Sequence, residues 1–135
     1  MVQQQVISPE MIDAIYNLGR NFLAQGQYEK ALIIFEGLEA LFPDDAQCSC
    51  MYGEALLLHG SIDQALLYFL RKKKQFPHHS GIMLTTARVY MMIHDHKQAH
   101  ATVLPIIQGD IEASPLEQAL AKSIFLASKN SLQVI

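Results

Sequence analysis

The chain has 135 residues, half of them apolar, and a formal charge of -3. That length suits one domain able to bury roughly two-thirds of its unfolded surface, and the balance excludes a disordered chain and any general attraction to nucleic acid. The longest apolar runs, such as Ala55 to Leu58 and Ile82 to Leu84, fall far below the roughly 18 residues that span a bilayer, so no membrane partner is expected.

Met1 to Ser8 is short and polar, without the charged start and apolar stretch of a secretory signal, and predicts a cytoplasmic protein. Ser8 and Pro9 then open a helix running to about Ala24, a capping side chain followed by a proline whose missing N–H costs nothing there. Its Ile15, Leu18 and Phe22 recur at helical spacing. Gly26 stops it, and a second helix runs from Tyr28 to near Leu41, followed by the turn Phe42-Pro43-Asp44-Asp45. A third helix is predicted from about Ala46 to His59, with Gly60 as terminator and Ser61 as the cap of a fourth from Ile62 to about Gln75. Pro77 marks the next turn. Helices from about His79 to Ile93 and from about His96 to Gln108 follow, and Pro105 should kink or shorten the latter. After the break at Gly109-Asp110, Ser114-Pro115 starts a last helix to about residue 129. Its Leu116, Leu120 and Ile124 form one apolar stripe, with Glu117, Lys122 and Lys129 off it, as expected of a helix that closes the end of a stack.

An offset of 34 brings Gly19 onto Gly53, Gly26 onto Gly60, Ala31 onto Ala65, Phe35 onto Phe69 and Pro43 onto Pro77. A third copy continues with Ala87, Tyr90 and Ala99, its glycines replaced by Ala87 and His94. No single helix pair can bury its apolar stripe alone, so neighbouring pairs stack, and small landmark residues let backbones approach. The 34-residue helix–turn–helix period is that of the tetratricopeptide unit. From Ile12 to about Gly109 the chain resembles that family, with Leu18-Gly19, Phe22, Ala31, Phe35 and Pro43 filling its pattern. Ile15 stands where the family most often has tryptophan, Tyr52 replaces a leucine, and Lys72 occupies a usually small apolar position.

The resemblance implies an all-α fold: a right-handed superhelix of three repeats (about 12–45, 46–79 and 80–113) with a capping helix (about 115–129), all one domain over 1–135. It also implies a concave groove lined by the first helix of each repeat. The inward positions are Tyr16, Asn17, Arg20 and Leu23; Cys50, Met51, Glu54, Leu57 and Leu58; and Leu84, Thr85, Arg88, Met91 and Met92. The groove is expected to be apolar, and its flexible thioethers suit an amphipathic helix or an apolar extended segment. Relatives that grip acidic C-termini carry a clamp of lysines, asparagines and arginine; Tyr16, Arg20, Met51, Gly81 and Thr85 stand at such positions here.

Small tetratricopeptide proteins of this length look like chaperones of bacterial type III secretion, on the strings Ile15-Tyr16-Asn17-Leu18-Gly19, Gly26-Gln27-Tyr28-Glu29-Lys30-Ala31 and Phe35-Glu36-Gly37-Leu38-Glu39-Ala40-Leu41. The implied partner is a secreted helical subunit, masked in the groove against premature polymerisation. The first repeat starts by about Ile12, leaving no room for the N-terminal extension of the translocator branch. The needle-subunit branch is therefore expected, sometimes with a small helical co-chaperone. The translocator branch, or a scaffold in a cytoplasmic complex, is the alternative.

No cofactor, metal or catalytic residue is expected. Cys48 and Cys50, two apart on a helix, point to different sides and make no zinc site of the usual spacing. Arg71-Lys72-Lys73-Lys74 complements a helix C-terminus and reads as a solvated convex edge. His96 and His100, one turn apart with His94 nearby, lack the glutamate of the zinc-protease motif and read as surface histidines, as do His78 and His79. No nucleophile is paired with a base, and no phosphate-cradling glycine loop is present.

Overall fold

A computed structural model describes residues 7–133. Seven helices follow one another: α1 (Pro9–Ala24), α2 (Tyr28–Leu41), α3 (Ala46–Leu58), α4 (Ile62–Gln75), α5 (Ser80–Met92), α6 (His96–Ile107) and α7 (Pro115–Gln133). There is no strand among the described residues. The boundaries follow local chemistry. Ser8 Oγ accepts from Met11 N at 3.2 Å and Asp45 Oδ1 from Gln47 N and Cys48 N at 2.9 and 3.1 Å, satisfying orphan N–H groups at two helix starts. Two expectations are corrected. Ser61 precedes α4 but makes no side-chain cap bond, whereas His79, expected to be merely exposed, caps α5 by accepting from Ile82 N at 3.1 Å. After α1 and α3 the chain turns through a left-handed residue, Gly26 and Gly60, and after α5 His94 takes that conformation at φ 62°. The landmark is kept there by a side chain that must bear the strain. Pro105 lies inside α6, which runs on to Ile107 and is not shortened.

The helices pair in sequence, and the pairs pack side by side. α3 touches α1 and α5, and α5 touches α7, while the backbones of α2 and α4, like those of α4 and α6, stand apart among the described residues. Odd-numbered helices therefore form a continuous inner layer and even-numbered helices fan outward. The array curves, with the first helices on its inside.

Within each pair one close approach sets the spacing. A Cβ on Gly19 would lie 2.7 Å from Phe35 Cζ, and one on Gly53 only 2.0 Å from Phe69 Cζ. Both rings are fully buried, so they have nowhere to go. At the same positions α5 and α6 carry Ala87 and Val103, also fully buried. The added methyl on one helix is matched by a smaller side chain on the other, so the fading of the repeat there is an exchange of volume that keeps the core filled.

The run Arg71 to Lys74 is a solvated edge only in part. Arg71 and Lys74 are exposed, but Lys72 is buried, at the position that Leu38 and Ile106 occupy one period away. Its stem lies in the core and its ammonium reaches Glu39 Oε1 at 2.9 Å, Pro43 O at 3.1 Å and Gln75 Oε1 at 3.0 Å. A lysine is tolerated in a core position because its long stem delivers the charge to partners at the edge. Leu18, expected in the first apolar stripe, is 44% exposed.

The stripe expected on the last helix is also corrected. α7 packs through Ala121, Ile124, Phe125 and Ser128, while Leu116 and Leu120 face outward. His100, expected on the surface, is half-buried and stacked on Phe125 at 4.3 Å between centroids, with Nδ1 3.3 Å from Ser128 Oγ. His96 is half-buried as well.

The volume exchange gives a double-mutant cycle. Val103→Phe should destabilise by about 2 kcal/mol through overpacking against Ala87, and Ala87→Gly in the same chain should recover most of that loss. Urea unfolding followed by circular dichroism reads both; a recovery of nothing would show that the two positions are not in register.

Candidate functional site

The inner face is built on α1, α3 and α5. Tyr16 packs edge-on against Phe35 at 5.8 Å, which turns its hydroxyl toward α3 to accept from Gln47 Nε2 at 3.1 Å. Arg20 lies over the Tyr16 ring at 5.9 Å. One period on, Glu54 Oε2 accepts from Arg88 Nη1 at 2.8 Å, joining α3 to α5. Arg20, Glu54 and Arg88 thus form one column across the three helices, and two of its three charges neutralise each other.

A concavity of about 370 Å³ sits between α3, α5 and α7, lined among others by Gln47, Cys50, Met51, Glu54, Thr85 and Glu117. Its floor is tight: a Cβ on Gly81 would meet Cys50 Sγ at 3.3 Å. Of the positions assigned to the groove, Asn17, Arg20, Leu58, Arg88 and Met92 are exposed and Tyr16, Leu23, Cys50, Met51, Glu54, Thr85 and Met91 half-buried. Leu57 and Leu84 are buried in the core, at 3% and 6% exposure, and have no free surface. The groove is therefore not uniformly apolar. Among the assigned positions the exposed large apolar side chains are Leu58 and Met92, 38% and 48% exposed and equivalent residues at the ends of α3 and α5. Beyond the assigned positions, Leu116, Leu120 and Leu126 of α7 are 71%, 48% and 57% exposed. The missed signal is the spacing of the capping residues: Asp45, His79 and Ser114 recur 34 and 35 residues apart.

Glu117 ties the end of the groove together. It forms a reciprocal cap with Ser114, accepting from Ser114 N at 3.0 Å while Ser114 Oγ accepts from Glu117 N at 3.2 Å, and it accepts from Ser80 Oγ at the start of α5. Burial alone would push its carboxyl up, but these hydrogen bonds and the neighbouring His79 outweigh it and hold it below the usual carboxylate range. Burial, with Glu54 and Glu117 adding to it, pushes the Cys50 thiol up to about 12; burial, then Asp45 and Glu39, pushes Cys48 up to about 11. Both stay protonated near neutral pH and are poor nucleophiles.

A second concavity, about 700 Å³, opens on the outer side between α2 and α4, lined among others by Glu36, Tyr52, Leu56, Tyr68 and Arg71. No group of three or more histidine, cysteine or acidic side chains is placed to hold a metal among the described residues. No helix of the described residues is long and apolar enough to cross a membrane.

The tetratricopeptide repeat family matches residues 13–45. No curated protein matches the chain. Solved structures share the fold over nearly their whole lengths. PcrH of Pseudomonas aeruginosa, in complex with the chaperone binding region of PopD, is 19% identical with a TM-score of 0.78, covering 98% of this chain and 100% of that one. The type III secretion chaperone SycD of Yersinia enterocolitica, in complex with a peptide of the translocator YopD, is 19% identical with a TM-score of 0.76, covering 93% and 98%. The Sgt2 TPR domain of Aspergillus fumigatus is 16% identical with a TM-score of 0.78, covering 98% and 85%.

A depressed carboxyl stabilises the fold above its unfolded pKa, and that contribution is lost as pH falls through the lower folded value. Glu117→Gln keeps the cap but not the charge. It should be less stable than the parent by about 0.5–1 kcal/mol at pH 7, with the gap closing as pH falls below about 4. Thermal melts from pH 7 to pH 3 would show it; a gap independent of pH would mean the charge is idle.

Proposed function

We propose that the protein is a stoichiometric binding protein, a cytoplasmic chaperone of a type III secretion system, whose inner face masks an apolar segment of a secreted translocator subunit until export. The observation that carries this is the pair of exposed apolar positions, Leu58 and Met92, set in a polar frame on the inner layer of a curved helical array. Support comes from PcrH and SycD, which share the fold at nearly full length and are seen with partner segments bound. The reading takes the array as three tetratricopeptide repeats (12–45, 46–79 and 80–113) and a capping helix wound as a right-handed superhelix in one domain.

The expectation of a needle-subunit client gives way to a translocator client, because the type III neighbours are translocator chaperones. The small helical co-chaperone has no support and forms no part of the reading. The mechanism needs no chemistry. Each aliphatic side chain of the client moved out of water onto Leu58, Met91 or Met92 contributes roughly 1.5–3 kcal/mol, and a few such anchors offset the cost of association. A polar frame of Tyr16, Gln47, Glu54 and Arg88 orients the segment while the anchors hold it. A scaffold of a cytoplasmic complex is the second reading, favoured by the equally close fold of Sgt2.

Leu58→Asp with Met92→Asp should reduce capture of the translocator co-expressed from the same system by about tenfold or more, with an unchanged far-ultraviolet circular dichroism spectrum because both positions are exposed. Full capture by this variant would sink the groove; a translocator equally stable in cells lacking the protein would favour the scaffold.

A further inference from the structure

The last helix stands in the register of the inner layer. Ser114 caps α7 as Asp45 caps α3 and His79 caps α5, and α7 packs on α5 and α6 as α5 packs on α3 and α4. Counted from these caps, Leu116 falls at the position of Gly81, Leu120 at that of Thr85, Ser123 at that of Arg88 and Leu126 at that of Met91. The 34-residue period likewise relates two inner contacts: Gln47 meets Tyr16, and one period on Gly81 lies against Cys50. A helix that merely closes a stack presents a polar outer face. This one buries Ala121 and Ser128, half-buries Ile124 and Phe125, and leaves three leucines exposed on the face that continues the groove.

The charge along that face is graded. Glu54 and Arg88 neutralise each other at 2.8 Å, and Ser123 adds no charge at the fourth position. Arg20 faces the Tyr16 ring and has no carboxylate within ion-pair distance among the described residues; Asp13 is two turns away, about 10 Å along α1. Glu117, at the α5–α7 seam, is engaged by Ser80 and Ser114. The inner face therefore runs from an uncompensated cation on α1 to an aliphatic surface on α7, where the Glu117 carboxylate at the seam disfavours a second acidic side chain.

We propose that α7 is the fourth wall of the binding groove, and that the groove holds an extended partner segment with an acidic side chain at Arg20 and aliphatic side chains on Leu116, Leu120 and Leu126. This rests on the reading of the inner face as the binding face. Four helices at about 8–10 Å spacing span roughly 30 Å, which about ten extended residues cover.

The test is selection from a displayed library of random peptides about ten residues long, on the full chain and on its variants. The parent should enrich peptides with Asp or Glu toward one end and Leu, Ile, Val or Met toward the other. Arg20→Glu should exchange the acidic preference for Lys or Arg. Leu116→Ser with Leu120→Ser should erase the aliphatic preference and weaken the best parental peptide by about tenfold, with an unchanged melting curve; Leu126→Ser alone is the second arm should that double variant lose stability. The parental consensus and affinity retained by the α7 variants would overturn the proposal while leaving the groove on α1, α3 and α5 intact. Failure of the parent to enrich any peptide would overturn both.

Discussion

Everything in this protein hangs on a contact in which a glycine of one helix lies under an aromatic ring of the next. At Gly53 the space for a side chain is already filled by Phe69, and at Gly19 by Phe35. A ring pressed on bare backbone sets how close the two helices of a pair come. The third pair reaches the same distance with Ala87 and Val103, showing that the shared volume is what is kept rather than either residue.

On that scaffold the inner face combines rigid and receptive parts. Tyr16, Gln47, Glu54 and Arg88 are fixed to one another across helix seams, so they shape the groove before anything binds. Leu58, Met92 and the α7 leucines have no such partners and expose apolar surface. Preorganised polar walls with unsatisfied apolar spots bind at low ordering cost.

The helices and their order were legible because the punctuation is local. Gly26, Gly60, Asp45, Ser8 and Ser114 act within a turn of their own position, and their chemistry depends on little else. What depends on neighbours was not legible. Lys72 looks like one more cation in a basic run, and only the third dimension shows that it takes a core position and sends its charge to Glu39. Leu57 and Leu84 share a helix face with truly exposed residues, and the packing of the adjacent pair decides which side of the line they fall. A leucine row on a helix normally marks its packed stripe; on α7 only Ile124 of the expected stripe packs, beside Phe125 and the smaller Ala121 and Ser128, which let α7 sit close to α6.

Lys72 also has a mechanical side. The second helices of neighbouring pairs stand apart, yet between α2 and α4 this ammonium crosses the gap to Glu39 and the carbonyl of Pro43, with Gln75 Nε2 beside it donating to Pro43 O and Asp44 Oδ1. Among the described residues no comparable strut joins α4 to α6. The first junction is thereby braced by charge on its outer side, and the second leans instead on the apolar contacts buried between α3 and α5.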